Sequence, residues 1–217
     1  MRYRTVFIDL DGTLIDHLPA IHRSYAHTLP ELGLPAPTCE QVKRAIGGGL
    51  PNAMRKFVPA VRLDEALRIY RAFWDRTMLE GASVMPGGVE LLTWLGEVGA
   101  KAVVFTNKHG PSARLLCTHL GLDSLLAKVI GADDTAWLKP DPRFADYALA
   151  QVSAEAATSC LIGDSPFDVQ AALNARWGFY GVTTGTHTGP ELSEAGAENV
   201  RDGLGAILAE WQAEQGL

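Results

Sequence analysis

The sequence predicts an α/β protein in which a doubly wound parallel sheet carries an inserted all-helical domain. Short apolar runs, rich in β-branched and aromatic residues, recur along the chain and are typical of buried parallel strands. Helical patterns separate the later runs, as expected when crossover helices join parallel strands. The stretch after the first run departs from this alternation, because it contains helical patterns and no clear strand.

Five apolar runs account for the predicted sheet. The first, at residues 5–10, stops at the turn signal Asp11-Gly12-Thr13. The other four occupy residues 102–106, 128–131, 160–163 and 179–182. One helical pattern between them ends at Gly99, and another runs from Pro111 to Gly121, with glycine and proline where helix ends favour them. This alternation predicts a Rossmann-like core.

The interval 17–83 is predicted to fold as a separate helical domain. Apolar residues recur every three or four positions between Leu18 and Leu32, and again between Leu63 and Trp74. The interval is much longer than the single helix that normally joins neighbouring parallel strands. We therefore expect a core domain of residues 1–16 and 84–217 and a helical cap domain of residues 17–83.

Composition limits the classes of function. The 217 residues carry a net charge of −6, and this acidic balance disfavours nucleic-acid binding, which depends on neutralising phosphates. The three cysteines are far apart, so neither a disulfide framework nor a zinc site is expected. No run approaches the ~18 apolar residues of a membrane span, and the first residues are not typical of a signal peptide. We expect a cytoplasmic protein without a nucleic-acid or membrane partner.

Asp9 and Asp11 end the first predicted strand. Side chains alternate along a strand, so both carboxylates project to one side, beyond the end where ligands of open α/β sheets bind. Carboxylates this close repel unless a cation or a proton lies between them, and Mg²⁺ accepts carboxylates together with phosphate oxygens. A turn aspartate followed by a helix N-cap is the ordinary alternative. The following Gly12-Thr13 favours the metal site.

Later strand ends bring further polar residues to the same edge. Thr106 and Asn107 end the second core strand and could hold a phosphate, and Lys139 follows the third and could balance its charge. Asp164 ends the next strand, and Asp168 falls in the first turn of the following helix. Each has an ordinary alternative as a helix cap or a solvated side chain. Together they predict one site for a metal ion and a phosphate.

In this order and context, the residues resemble the haloacid dehalogenase-like hydrolase superfamily. Its four motifs are matched by residues 9–13, Thr106, Lys139 and residues 163–168, and the match spans almost the whole chain. The insertion after the first motif resembles the family's helical C1 cap. Within the superfamily, Thr106-Asn107-Lys108 and the segments 47–51 and 181–185 resemble the phosphoglycolate phosphatase subgroup.

The resemblance implies a Mg²⁺-dependent phosphatase for small phosphorylated metabolites, with 2-phosphoglycolate as a candidate substrate. Asp9 would be the nucleophile and form an aspartyl-phosphate. Asp11 would protonate the leaving alcohol and then activate the hydrolytic water. The Asp9 carboxylate, the Asp11 backbone carbonyl and Asp164 would hold the Mg²⁺, with Asp168 in support.

The resemblance also implies the contacts to the substrate. Thr106 and Lys139 would bind the phosphoryl oxygens, and Asn107 would lie beside them. The cap would contribute the glycine-rich loop and a cation, namely Gly47, Gly48, Gly49 and Arg55. A glycine-rich loop lets the backbone approach a ligand closely, whereas a plain turn between helices and a solvated helix face are the alternatives.

Two other functions remain open at this point. A sugar phosphomutase of the same superfamily would carry the same motifs. A phospho-accepting, receiver-like signalling module also places Asp, Thr and Lys at strand ends, although the long insertion and the Asp-Leu-Asp-Gly-Thr motif disfavour it. We expect a monomer or a homodimer in either enzymatic case.

Overall fold

The computed structural model describes residues 2–216, and in this range the chain forms eight strands. They are β1 (Thr5–Ile8), β2 (Ile15–Asp16), β3 (Ser83–Val84), β4 (Lys101–His109), β5 (Lys128–Ala132), β6 (Ser159–Gly163), β7 (Gly178–Val182) and β8 (Val200–Arg201). Six of them form one parallel sheet in the order β5-β4-β1-β6-β7-β8. The five predicted strands are all present, and the edge strand β8 was missed because two residues carry no pattern.

Helices alternate with the strands of this sheet, which confirms the predicted α/β class. The α-helices are α1 (Leu18–Glu31), α2 (Cys39–Lys43), α3 (Leu50–Met54), α4 (Leu63–Thr77), α5 (Gly88–Glu97), α6 (Gly110–His119), α7 (Pro142–Val152), α8 (Pro166–Ala175), α9 (Gly189–Glu194) and α10 (Leu204–Glu214). No helix within residues 2–216 combines the length and the apolar character needed to cross a membrane.

Strand β1 lies in the middle of the sheet and is buried on both faces. Val6 and Ile8 belong to the hydrophobic cluster on one face, whereas Phe7 packs on the other face against Phe105 and stacks on Trp177 at 4.2 Å between ring centroids. Each such side chain contributes about 1.5–3 kcal/mol by leaving water. Burial on both faces explains why this strand is apolar throughout instead of alternating.

Helices α1 to α4 surround a hydrophobic cluster that is separate from the clusters of the sheet. Tyr25 of α1 meets Tyr70 of α4 edge to face at 5.2 Å, and Tyr70 stacks on Trp74 at 5.7 Å. These residues occupy the helix faces that the spacing of apolar residues predicts. The helices therefore have a core of their own, although the domain boundaries at 16/17 and 83/84 stay a prediction.

Two short strands join the helices α1 to α4 to the sheet. β2 and β3 pair antiparallel, with Ile15 opposite Val84 and Asp16 opposite Ser83. The Met85 N–H also donates to the Leu14 carbonyl at 2.9 Å. The sequence did not predict this pair, because two-residue strands show no periodicity. The chain thus enters and leaves the helices through two adjacent strands.

Candidate active site

The polar residues predicted at the strand ends lie together at the carboxyl edge of the sheet and line one cavity. They are Asp9 and Asp11 after β1, Thr106 and Asn107 in β4, Lys139 after β5 and Asp164 after β6. Strand β4 continues to His109, beyond its predicted end at residue 106. Its register against β5 shifts between Phe105 and His109, so the polar residues occupy an irregular part of the strand.

Lys139 is the buried cation of the site. Its Nζ donates to Asp9 Oδ1 and to Asp168 Oδ1, both at 2.6 Å, and to the Phe105 carbonyl at 2.9 Å. Burial alone would lower the pKa of Lys139, but the two carboxylates outweigh it and raise the pKa. The ammonium therefore keeps its charge and fixes Asp9 relative to Asp168.

Three carboxylates form a cluster that fits a divalent cation. Asp9, Asp164 and Asp168 each offer one oxygen, and these oxygens lie within 4.8 Å of one another. Burial raises the pKa of Asp9 and of Asp164, and the charge of Asp168 raises both further. Lys139 alone cannot balance three carboxylates. Because carboxylate oxygens are the ligands that hard divalent ions prefer, the donor set and its excess negative charge both suit such an ion.

Asp164 is held by hydroxyl and backbone donors. Thr13 Oγ1 donates to its Oδ1 at 2.9 Å, and the N–H and Oγ1 of Thr186 donate to its Oδ2 at 2.6 and 2.8 Å. Gly12 has a φ of +87°, and a Cβ there would lie 2.8 Å from the Gly185 Cα. The Gly-Thr of the first motif thus serves the fourth motif, because the glycine permits the close approach and the threonine orients Asp164.

Two side chains whose roles the sequence did not predict contact the Asp11 carboxylate. Lys108 Nζ lies 3.0 and 2.9 Å from its two carboxylate oxygens, and His17 Nδ1 lies 3.3 Å from Oδ1. Burial would raise the pKa of Asp11, but Lys108 and His17 outweigh it and hold the pKa below the usual range. His17 Nε2 donates to the Met78 carbonyl at 2.6 Å, and Lys108 Nζ lies 4.6 Å from the centre of the Trp74 ring.

Asn107 connects the lysine loop to the glycine-rich loop. Its Nδ2 donates to the carbonyls of Gly47 and Lys139, both at 3.0 Å, and its Oδ1 accepts from the Lys139 N–H at 2.7 Å. Both amide protons of Asn107 are therefore engaged by the protein. Thr106, next to it, is buried, lines the cavity and accepts a hydrogen bond from the Lys108 N–H.

The glycine-rich loop reaches the cavity, but the predicted cap cation does not. Gly47 and Gly49 line the cavity and have φ values of +110° and +85°. A Cβ on Gly48 would lie 2.9 Å from the Phe167 Cζ, so this glycine lets the loop pack on that ring. Arg55 lies outside the cavity lining, where its Nη1 donates to Asn52 Oδ1 at 2.8 Å.

The cavity lies between the sheet edge and the helices α1, α3 and α4, and its volume is 570 Å³. The strand-end residues form one end of it. Helix residues form the other, and they include Ile21, Tyr25, Leu50, Tyr70 and Trp74. The arrangement can hold a phosphate beside the carboxylates and its ester group against the helices.

The family model of haloacid dehalogenase-like hydrolases matches residues 6–182. The protein belongs to this family. It is 33% identical, over 217 residues, to a plasmid-encoded phosphoglycolate phosphatase of Cupriavidus necator, covering 94% of this chain and 91% of that protein. It is 32% identical over 209 residues, with the same two coverages, to a Dickeya dadantii protein described as the probable phosphatase IndB.

A solved haloacid dehalogenase-like family hydrolase from Streptococcus pneumoniae has the same fold. The TM-score is 0.88 at 22% identity, and the alignment covers 97% of this chain and 99% of that one. The family resemblance predicted from the four motifs is confirmed. This haloacid dehalogenase-like protein is a phosphatase, as the sequence also predicted.

Proposed function

We propose that the protein is a Mg²⁺-dependent hydrolase of small phosphate monoesters that acts through an aspartyl-phosphate on Asp9. The observation that carries this is the environment of the Asp9 carboxylate. Lys139 binds Oδ1, and within residues 2–216 no hydrogen bond engages Oδ2. Asp9 also shares the carboxylate cluster with Asp164 and Asp168. One oxygen is thus oriented, while the other is free to attack phosphorus.

The proposed reaction has two steps, in which Asp11 moves one proton each way. Asp9 Oδ2 attacks phosphorus, an O–P bond forms, and the bond from phosphorus to the ester oxygen breaks as Asp11 gives that oxygen a proton. Asp11 then takes a proton from a water molecule that attacks phosphorus, which releases phosphate and Asp9. The contacts of Asp11 with Lys108 and His17 favour the ionised state that this second step requires and oppose the protonated state that the first step requires, so Asp11 would take up its proton as the substrate binds.

The remaining site residues have supporting roles in this proposal. Asp9, the Asp11 backbone carbonyl and Asp164 would hold the Mg²⁺, with Asp168 in support, and the ion would neutralise charge on the transferring phosphoryl group. Thr106 would bind a phosphoryl oxygen. Lys139 would bind another by releasing one of its three acceptors, because all three N–H groups of its ammonium are engaged by the protein. Asn107, Gly47 and Gly49 would form the adjoining wall, whereas substrate binding by Gly48 and by Arg55 stays a prediction that their positions outside the cavity lining do not favour.

Names of relatives support a phosphatase over the alternatives. The relatives at 33% and 32% identity are named as phosphatases, and one of them as a phosphoglycolate phosphatase, which keeps 2-phosphoglycolate as a candidate substrate. The sugar phosphomutase and the receiver-like module are not favoured. A cytoplasmic monomer or homodimer without a nucleic-acid partner stays a prediction.

The test is hydrolysis of p-nitrophenyl phosphate with Mg²⁺ and with EDTA. Asp9→Asn should lower kcat by about 10³-fold or more, since it removes the nucleophile. Asp146→Asn, on the exposed face of α7, is the matched control and should keep the wild-type rate. Rapid acid quenching should trap a phosphoryl group on the peptide that contains Asp9. Full activity of Asp9→Asn, or activity that survives EDTA, would contradict the proposal.

A mutase is distinguished by its products from glucose phosphates. A phosphatase releases inorganic phosphate, whereas a mutase returns the phosphoryl group and produces an isomer. Isomer formation faster than phosphate release would replace the proposed function with the mutase.

A further inference from the structure

The cavity has two chemically different ends. The end at the sheet edge carries the carboxylates, Lys139 and Thr106. The end formed by the helices is mostly apolar and aromatic. Its lining includes Ile21, Tyr25, Ile46, Leu50, Tyr70 and Trp74, together with the charged pair Arg71 and Asp75. A phosphate held at the first end therefore directs its ester group toward this aromatic wall.

The volume exceeds what a two-carbon acid needs. At 570 Å³ the cavity falls within the range of roughly 300–1,000 Å³ that is typical of sites for ligands of drug size. The glycolate part of 2-phosphoglycolate would leave most of the aromatic wall without a contact. A larger ester group would cover it.

The wall is rigid because its rings pack on one another. Tyr25 and Tyr70 pack edge to face, and Tyr70 and Trp74 are nearly parallel, with 20° between their planes. Each of the three residues is less than a tenth exposed, so their packing against one another fixes their positions. Tyr70 and Lys108 cover the faces of the Trp74 ring, so a flat ring system would meet this wall by edge-to-face contact.

The cations near the cavity that could bind the carboxylate of an acidic ester group are paired with an aspartate, lie beside one, or lie outside the lining. Lys108 contacts both oxygens of Asp11. Arg71 lies in the lining, but Asp75, one turn later in α4, lies there too and brings the opposite charge. Arg55 lies outside the lining. The helices therefore offer an acidic ester group little net attraction.

Tyr25 also carries a buried hydroxyl for which the structure shows no partner within residues 2–216. Its side chain is 1% exposed and lines the cavity. Burial raises the pKa of Tyr25, so the hydroxyl keeps its proton. A buried donor without a partner is rare in folded proteins, and here it belongs to a residue that lines this end of the cavity.

We propose that the helix end of the cavity selects phosphate monoesters whose alcohol carries a flat, largely apolar ring system, in preference to 2-phosphoglycolate. This inference rests on the proposed phosphatase function and specifies its substrate class. Leu50, Tyr70 and Trp74 would contact the ring system, and the strand-end residues would act on the phosphate.

The test compares primary alkyl phosphates, so that differences in kcat/KM report contacts with the helices more than leaving-group chemistry. The substrates are 2-(1-naphthyl)ethyl phosphate, ethyl phosphate, glucose 6-phosphate and 2-phosphoglycolate. We expect the naphthylethyl ester to exceed the other three by about tenfold or more in kcat/KM, in line with discrimination by apolar pockets. Calorimetric titration of Asp9→Asn with the same compounds should give the same order of affinity without turnover.

A charge placed in the wall provides a matched pair of variants. Leu50→Lys should lower kcat/KM for the naphthylethyl ester by about tenfold and raise it for 2-phosphoglycolate, because a cation replaces apolar surface. Val61→Lys adds the same charge at a position that is 94% exposed and should change neither value.

The outcomes separate this inference from the proposed function. If 2-phosphoglycolate or glucose 6-phosphate is the best substrate, or if Leu50→Lys behaves like Val61→Lys, the inference is wrong and the phosphatase stands. If no phosphate monoester is hydrolysed with Mg²⁺, p-nitrophenyl phosphate included, the proposed function fails and the inference fails with it.

Discussion

The two ends of the cavity are built on different principles. At the sheet edge, Lys139 has three acceptors and Asp164 has three donors from residues distant in the chain. At the helix end, aromatic side chains pack on one another, and the hydroxyl of Tyr25 has no partner within residues 2–216. The hydrogen bonds at the polar end fix its side chains, and this end therefore specifies one reaction. The apolar end specifies a shape, and its residues can change without altering the chemistry, with the exception of Trp74, whose ring lies against Lys108.

Removing the central cation should have the largest effect. Lys139→Met leaves Asp9 and Asp168 buried without their partner, which should cost about 3–5 kcal/mol in the free energy of unfolding. It should also lower kcat by about 10²–10³-fold, because a charge that stabilises the phosphoryl group is lost. Chemical denaturation and kinetics measure the two effects. Lys128→Met, an exposed residue of β5, is the control, and equal stability of the two variants would contradict the importance of the buried pair.

Loss of one hydroxyl behind the carboxylates should have an intermediate effect. Thr13→Val keeps the shape but removes the donor to Asp164, so Mg²⁺ affinity should fall by about 10–100-fold, as it does when a group that orients a ligand is lost. The Mg²⁺ dependence of the rate measures this. Thr118→Val removes a similar bond, to Asp123, at an exposed site. If both variants need the same Mg²⁺ concentration, Thr13 does not orient a metal ligand.

Loss of the Tyr25 hydroxyl at the helix end should stabilise the protein, whereas the two preceding changes weaken the site. Tyr25→Phe removes a buried group without a partner, and the free energy of unfolding should rise by about 1 kcal/mol, since that group's unmet hydrogen bond is no longer a cost. Thr28→Val is the comparison, because the buried Thr28 hydroxyl of the same helix donates to the Ser24 carbonyl at 2.7 Å and its loss should destabilise. Denaturant titration of both variants measures the difference. A destabilised Tyr25→Phe would show that its hydroxyl has a partner in solution.

The smallest effect is expected for a cation of the helices α1 to α4 that lies outside the cavity. Arg44 pairs with Glu40 and Glu191 on the surface, so Arg44→Met should leave KM for anionic substrates unchanged. Arg71→Met, in the cavity lining, should alter that KM and its dependence on salt. Equal changes in the two variants would mean that the overall charge of the helices α1 to α4, and not the charge in the lining, attracts the substrate.

The sequence could predict the strand-end residues because two simple rules act on them. Strand patterns are local, and parallel strands bring their carboxyl ends to one edge, so the amino-acid sequence alone groups Asp9, Lys139 and Asp164. It could not reveal that Lys108 contacts Asp11 across 97 positions, or that Thr186 supports Asp164. Such pairs depend on loop paths that no short pattern encodes.

The sequence could not predict the aromatic wall of the cavity, for a different reason. Periodicity showed that Tyr25, Tyr70 and Trp74 share buried helix faces, which the structure confirms. A buried face has the same pattern whether it packs against another helix or lines a cavity. The position of Arg55 shows the same limit, since its place at the end of α3 did not reveal which way its side chain points.

The paired strands β2 and β3 make the helical insertion exchangeable. Ile15 and Val84 are direct partners, so their Cα atoms are about 4.5–5.5 Å apart, a gap that a turn of two to five residues closes as a β-hairpin. A foreign segment could therefore be grafted between these points while the backbone keeps Asp9 and Asp11 in place, at the loss of the contact between His17 and Asp11. In evolution, a new substrate could be acquired by replacing one continuous piece of chain, while the residues at the sheet edge are inherited unchanged.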